Sequence, residues 1–353
     1  MFSFNNNLTS VERLPNREPT KPVSVSIIIP TFNGASRIKN CLDVLVKQTT
    51  AHNAEILVVN DGSTDNTTEV VGLYPGVRLI NQANAGPAAA RNRGAKEAKG
   101  MIILFTDDDC VPMPDWLCSM TAPFDDPEVV GVKGVYRSSQ TSLIARFVQI
   151  EYEDRYRLMA GLPSIDFIDT YSAGFRLDRF LEMKGYDTSF PVACAEDAEL
   201  SYRMSARGWI LKFVPTAIVY HTHPDTFWRY MKKKYKFALW RMLALRKNPK
   251  KTLKDSHTPQ VMKAQLLLAP ALLLAMSRDL LVHPAIPASA VVFVAFLIST
   301  LSFALRAARK DPIVGLLSPM ILAARAWSQA LGVVAGVIYT LRTPARAPAG
   351  SVS

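Results

Sequence analysis

Cysteine is scarce in this 353-residue chain: Cys41, Cys110, Cys118 and Cys194 are the only four. They form no C-x-x-C pair and no His–Cys cluster at zinc spacing, so neither a disulfide framework nor a structural zinc site is expected. Reduced, mostly buried thiols are expected instead. No G-x-G-x-x-G follows a strand pattern, which disfavours a dinucleotide oxidoreductase. No G-x-x-x-x-G-K-S/T occurs, which removes a P-loop NTPase. The first 21 residues lack the apolar core of a secretory signal and read as a flexible tail. Carboxylates are missing from Arg229 to Lys254, which carries eleven basic side chains, so the net charge of +11 is a local excess.

Hydrophobic residues make up 49% of the chain and crowd into its last ninety positions. The earlier part alternates short apolar runs with helical periods. Val23 to Pro30, Glu55 to Val59, Val77 to Asn81 and Met101 to Phe105 read as buried strands, with helices over Ile38 to Val46, from Asp65, and over Gly86 to Ala98. That alternation predicts an α/β fold with a mainly parallel sheet flanked by helices. Ligands bind beyond the carboxyl ends of such strands, so the polar segments after the first, second and fourth strands converge on one rim. Lys133 to Ile168 has no readable pattern. Further on, a helix is expected over Glu196 to Arg207, and two short strands over Ile210 to Val214 and Ala217 to Tyr220.

After Thr226 the character changes. Trp228, Met231, Tyr235, Ala238, Met242 and Leu245 recur at three- and four-residue steps with lysine and arginine on the other faces, the pattern of a basic amphipathic helix. Ala264 to Val282 is almost wholly apolar, and Ile286 to Leu305 has twenty residues without a charge, long enough to cross a bilayer. Positive charge flanks both runs, which predicts a transmembrane hairpin with both ends cytoplasmic. Ile313 to Leu341 carries Arg325 and Gln329 mid-way and reads as interfacial or re-entrant rather than as a third span. The expected organisation is a tail (1–22), a catalytic-type domain (23–226), a basic interfacial region (227–256), a hairpin (257–310) and a further apolar segment with its tail (311–353). Residues 227–341 would then contact membrane lipids at the inner or plasma membrane, with the domain on the cytoplasmic side. The basic run suits a membrane surface better than nucleic acid, because an apolar hairpin adjoins it.

Asp107-Asp108-Asp109 follows directly on the fourth strand pattern. Three adjacent aspartates repel one another unless a cation neutralises them, and a divalent metal bridging a diphosphate would do so. Taken singly, the other polar features are ordinary. Asp61-Gly62-Ser63 is a common turn, Glu196-Asp197 suits a helix start, and His221 suits a core histidine. Their order carries more: strand-PTFNG, strand-NDGSTDNT, NAGPAAARNRG, strand-TDDDC, SAGFRLDRF, AEDAELSYR and YHTHP run in that sequence over about 190 residues.

This series resembles the family 2 glycosyltransferases of the GT-A fold, over roughly Val23 to Pro224. The resemblance implies inverting transfer of a sugar from a nucleotide-diphosphate sugar, dependent on Mg²⁺ or Mn²⁺. It places Pro30, Phe32 and Asn33 in the loop that cradles the base, and Asp61 on the base or ribose. Asn84, Gly86 and Arg91 fall in the segment that flanks the donor. Asp107 and Asp109 match the D-x-D pair, with Asp109 the direct metal ligand and Asp107 on ribose or metal. Asp108 is expected to point away and to be dispensable. Asp197 matches the general base, with Glu196 beside it, and His221, rather than His223, matches a late histidine that closes the metal site. Asn60 stands where a second aspartate is common. The Q-x-x-R-W of processive synthases is absent, so a single sugar would be moved, to a lipid-linked or saccharide acceptor near the membrane. The alternatives are a nucleotidyltransferase, disfavoured by the missing lysine-rich loop after the first strand, and a non-catalytic sugar-nucleotide binder at the membrane, disfavoured by Asp109 and Asp197.

Overall fold

The computed structural model describes residues 24–190, 194–251 and 255–342, so the expected N-terminal tail lies outside the described residues. β1 (Val25–Thr31), β2 (Ala54–Asp61), β3 (Val77–Gln82) and β4 (Ile102–Phe105) pair in parallel in the order β3-β2-β1-β4. α1 (Ile38–Ala51), α2 (Thr67–Gly72) and α3 (Pro87–Glu97) make the crossovers. All seven residues of β1 are buried. That is why it reads as a continuous apolar run rather than an alternation: a central parallel strand is covered on both faces. The chain leaves β1 for β2 on one side and later returns to β4 on the other. The crevice between the carboxyl ends of β1 and β4 is therefore the topological switch point, where an open α/β sheet takes its ligands.

β5 (Val111–Pro112), β6 (Val129–Arg137), β7 (Ala173–Arg176) and β8 (Ile210–Tyr220) extend the sheet in the order β4-β7-β6-β8-β5. β7 runs antiparallel to both neighbours, β6 and β8 are parallel, and β5 is antiparallel to β8. α4 (Trp116–Thr121), α6 (Leu177–Glu182) and α7 (Glu196–Ala206) pack around this half. The two short strands expected after Gly208 are one strand. A register shift between Lys133 and Val135 of β6 absorbs the exposed Pro215-Thr216, which had interrupted the apolar pattern.

The segment without a readable pattern contains most of β6 and the 18-residue α5 (Leu143–Ala160). α5 has no clear apolar stripe because it is enclosed on several sides. Ile144, Phe147, Val148, Tyr152 and Tyr156 are buried, and so are the charged Glu151 and Arg155. A charge inside a helix that sequence periodicity would place in solvent hides the helix from that kind of reading.

The C-terminal part is helical: α8 (Phe227–Lys247), α9 (Gln260–Val282), α10 (Ala288–Lys310) and α11 (Pro312–Arg342). α9, α10 and α11 are each long and apolar enough to cross a membrane. α9 and α10 expose large apolar side chains along their length, among them Leu273, Leu280, Phe293 and Ile298. α11 is more enclosed. Ser328 donates to the Met231 carbonyl (2.7 Å), and the close approach of the α8 backbone at Tyr235 and Leu239 leaves no room for a Cβ at Gly332 or Gly336. Ion pairs join this part to α5: Arg306 to Asp154 (2.7 Å) and Arg325 to Glu151 (2.8 Å). The Glu151 carboxylate also accepts from Arg155, Tyr230 and Lys234, so four donors share one buried acid.

Candidate active site at the switch point

The loops after β1 and β2 brace one another. The Asn33 N–H donates to Ser63 Oγ (2.9 Å), the Thr64 N–H donates to Asn33 Oδ1 (2.8 Å), and the Gly34 N–H donates to Thr67 Oγ1 (2.9 Å). Asn33 sits at φ 49, a left-handed conformation that asparagine tolerates better than most residues. Phe32 is left 46% exposed on the rim. Pro30 is buried within β1, so of the three residues expected to cradle a base only Phe32 and Asn33 reach the crevice. Asn60 does not face a ligand: its amide donates to Asn81 Oδ1 (3.0 Å) and its oxygen accepts from the Ser63 N–H (3.0 Å).

Asp61 is 2% exposed, and its carboxylate accepts from Gln82 (2.6 Å) and from the N–H groups of Ala85 (2.9 Å) and Gly86 (2.8 Å). It therefore shapes the segment that leads into α3. Gly86, with φ 89, precedes Pro87 at the helix start. Gly62, with φ 78, lies so close to Asn84 that a Cβ would stand 2.9 Å from the Asn84 nitrogen. Asn84 itself is exposed on this shaped edge.

The three aspartates separate. Asp108 is buried, accepting from Thr31 Oγ1 (2.7 Å) and from Arg37 Nη2 (2.9 Å). It points away from its neighbours and ties the fourth strand's exit to Thr31 of β1 and to Arg37 at the start of α1. Asp107 accepts from Arg91 Nη2 (2.6 Å). Asp109 faces His221, with 3.4 Å between Oδ2 and Nδ1.

Arg91 is 4% exposed and bridges Asp107 to Glu196, its Nη1 lying 3.5 Å from Glu196 Oε1. That bridge joins the fourth strand's exit to the start of α7, with Arg91 and Glu196 105 residues apart in the chain. Ala195, the residue before α7, adopts φ 72, a left-handed conformation that costs a side-chain-bearing residue about 1 kcal/mol or more. The turn it makes sends Glu196 into the interior against Arg91, while Asp197 stays partly exposed and accepts from the Ala198 N–H (2.7 Å). Burial, and then the neighbouring Asp197, push the Glu196 carboxyl up from 4.5 to about 7. Burial raises Asp197 as well, opposed by its backbone hydrogen bond and by Lys133.

A stability prediction follows from the sign of that shift. The folded chain holds the Glu196 proton more tightly than the unfolded chain, so Glu196 subtracts stability as pH rises from about 4.5 through about 7. Glu196→Gln is expected to flatten that slope. It should raise stability at pH 8 by on the order of 2 kcal/mol, offset in part by the weaker Arg91 contact. Urea unfolding at pH 5 and pH 8 checks it, and a wild-type slope that survives the substitution contradicts it.

Asp109, Cys110 and His221 offer ligand atoms that all lie within 4.8 Å of one another. Burial drives the Cys110 thiol well up, so it stays protonated and is a poor ligand for a hard cation. His221 has its Nδ1 buried without a hydrogen-bond partner, aimed at the Asp109 carboxylate, and burial pulls the ring down, toward the neutral form that binds metal. One carboxylate and one neutral imidazole, the latter with an orphaned nitrogen, fit a divalent ion, and the remaining positions are open to diphosphate oxygens and water. Asp107 is not in this group, being engaged by Arg91. His223 is not either: it stacks on Tyr136 and Tyr152 and meets Gln149 at 3.0 Å.

Residues 26–180 match the model of glycosyl transferase family 2. This domain belongs to glycosyl transferase family 2. The glycosyltransferase domain is similar to the validoxylamine A glucosyltransferase of Streptomyces hygroscopicus subsp. jinggangensis, 28% identical over 218 residues, 52% of this chain and 52% of that one. The pre-mycofactocin glycosyltransferase of Mycobacterium tuberculosis is 25% identical over 218 residues, 59% of this chain and 45% of its own length. The chain spans between a tenth and about half of the length of the curated relatives it matches. In fold it is similar to the mannosyltransferase PcManGT from Pyrobaculum calidifontis in complex with GDP-Man and Mn²⁺, with a TM-score of 0.57 and 20% identity, covering 92% of this chain and 91% of that one.

Several residues of the glycosyltransferase domain's site were not legible beforehand. Asn92 clamps the loop before α7, donating to the Tyr186 carbonyl (2.7 Å) and accepting from the Tyr186 N–H (2.8 Å). Lys133 is fully buried, paired with Asp169 and 3.2 Å from the Tyr171 hydroxyl. Arg37 holds Asp108. The adjacency of Asn92 to Arg91 is the one local hint among these. The rest depend on contacts far apart in sequence.

Proposed function

We propose that the chain is a metal-dependent, inverting glycosyltransferase that moves one sugar from a nucleotide-diphosphate sugar to an acceptor hydroxyl at a membrane surface. The observation that carries this reading is the convergence of the Asp109–His221 pair and the Arg91-linked Glu196–Asp197 pair on one crevice. Phe32 offers an exposed aromatic face to a base, and the shaped segment around Asn84 and Gly86 borders the donor. A Mg²⁺ or Mn²⁺ ion held by Asp109 and His221 would offset the charge that builds on the departing diphosphate. Asp107, fixed by Arg91, borders that site.

Asp197 is the general base of this reading. Asp197 is a half-buried residue that no arginine among the described residues engages, whereas Glu196 is buried against Arg91. Asp197 takes the acceptor hydroxyl proton as the oxygen attacks the anomeric carbon from the face opposite the diphosphate, which inverts that centre. Glu196 is a positioning residue: through Arg91 it keeps the base in register with Asp107. Burial of both acids raises their affinity for a proton, which suits a base working near neutral pH.

Membrane anchoring supports an acceptor presented at the bilayer, lipid-linked or saccharide. In this reading α9 and α10 span as a hairpin, while α11 lies along α5 and α8 as an interfacial helix, and the domain faces the cytoplasm. The exposed apolar surface of α9 and α10 and the enclosure of α11 favour it. A panel of nucleotide-sugars, offered to the purified full chain with Mn²⁺ or Mg²⁺, tests the whole reading. Metal-dependent release of a nucleoside diphosphate from at least one donor is expected. Release from none, with or without membrane lipid extract as acceptor, removes the enzyme reading.

A further inference from the structure

A cavity of about 950 Å³ lies away from the catalytic carboxylates, between the glycosyltransferase domain and the bases of the apolar helices. One wall is the end of α5 and the loop after it. The other is formed by the start of α9, the end of α10 and the middle of α11, at Leu322 and Arg325. Its two regions differ in chemistry. Leu158, Leu162 and Val261 stand at its edge, each more than 40% exposed. Further in, the buried Thr258, Arg155 and Arg325 line it beside Phe303 and Leu322.

The cavity's buried carboxylates, Glu151, Asp166 and Asp255, are each already engaged by cations. Arg155 and Arg325 are more than nine-tenths buried and both pair with Glu151. Charge points to an anion. Five lining cations face four lining carboxylates, and two of those acids are also neutralised from behind, Glu151 by Lys234 and Asp255 by Arg241 and Lys263. The N-terminal turn of the 23-residue α9 opens onto the cavity with the positive end of its dipole.

We propose that this cavity binds the phosphate headgroup of an anionic membrane phospholipid, with its acyl chains leaving past Leu158, Leu162 and Val261 along α9. An oxyanion matches the local excess of positive charge. An amphiphile matches a charged chamber with an apolar mouth, set where a membrane-crossing hairpin meets a folded domain. The inference rests on the membrane-anchor reading and does not need the transferase reading.

Titration of the detergent-purified full chain with short-chain phosphatidylglycerol, phosphatidylcholine or inorganic phosphate tests it. Phosphatidylglycerol is expected to bind saturably, at least about tenfold more tightly than phosphatidylcholine, with inorganic phosphate weaker still because it has no chains to place. Thr258→Val removes one donor, Arg157→Gln removes the cation near the mouth, and Met262→Trp fills space. Each is expected to weaken phosphatidylglycerol by about tenfold and to leave donor hydrolysis unchanged. Equal binding of the two lipids, tighter binding of inorganic phosphate, or unchanged affinity in all three variants overturns the proposal. A photoactivatable phosphatidylglycerol needs no variant: its label is expected within 154–166 or 255–265, and a label confined elsewhere overturns it too. Carbonate extraction of membranes tests the anchor separately, since release of the chain there sinks the anchor reading without involving the detergent measurement.

Discussion

Asp197→Asn is expected to abolish sugar transfer, lowering kcat by about a thousandfold, while the Kd for the nucleoside diphosphate stays close to that of the wild type. An acceptor hydroxyl is a weak nucleophile until its proton leaves in the transition state, and a positioned base contributes on the order of 10²- to 10⁴-fold. Asparagine keeps the shape and can still accept from the Ala198 N–H, so the start of α7 should hold. The defect should therefore fall on kcat and spare donor binding, which single-turnover kinetics and calorimetry separate. The pH profile carries the same signature. Glu196 and Asp197 compete for a proton, and burial holds the Glu196 carboxyl near 7. The rate should climb with pH as Asp197 loses its proton, and burial sets that rise above the ordinary aspartate range. Normal turnover by the variant, or a rate that does not rise with pH, would remove Asp197 from the role of base.

Asp109→Ala is expected to erase the metal dependence of donor binding and to lower kcat/KM by on the order of a hundredfold or more. Metal stabilisation of a leaving diphosphate is worth several kcal/mol, and each 1.36 kcal/mol is tenfold. Without Asp109 the orphaned His221 nitrogen is the only hard-cation ligand left in the group, and one imidazole is a poor site for Mg²⁺ or Mn²⁺. Cys110→Ser is the control. Its thiol is buried and protonated, so the metal response should survive that change. Calorimetric titration of nucleoside diphosphate with Mn²⁺ and with a chelator decides the matter. An unchanged metal response in Asp109→Ala would move the metal site elsewhere.

The comparison of sequence with structure turns on where the determining contacts lie. Strands β1, β2 and β4 were legible because central parallel strands are covered on both faces and so read as unbroken apolar runs. The crevice residues that follow them were legible for the same reason: a polar residue straight after such a run has nowhere to sit but the rim. α5 was not legible, because Glu151 and Arg155 lie inside it, and their burial depends on Lys234 and Arg325, which arrive 83 and 174 residues later. Asp108 looked dispensable from alternation alone. Its partners are Arg37 and Thr31, which the sheet brings beside it.

What the sequence by itself determined was the parallel half-sheet, the apolar helical end and the order in which the acidic groups appear, since each follows from local periodicity and composition. Which of those acids meet was decided only by the tertiary structure. The strand order places β4 beside β1, and Arg91 then draws Asp107 and Glu196 together across the crevice while Asp109 turns to His221. The cavity beneath the domain likewise depends on tertiary structure, because α10 and α11 are each tied to α5 by an ion pair between residues more than 150 positions apart. Charge pairing at that separation leaves no periodic trace in the chain, because its free energy is realised only once the fold has closed.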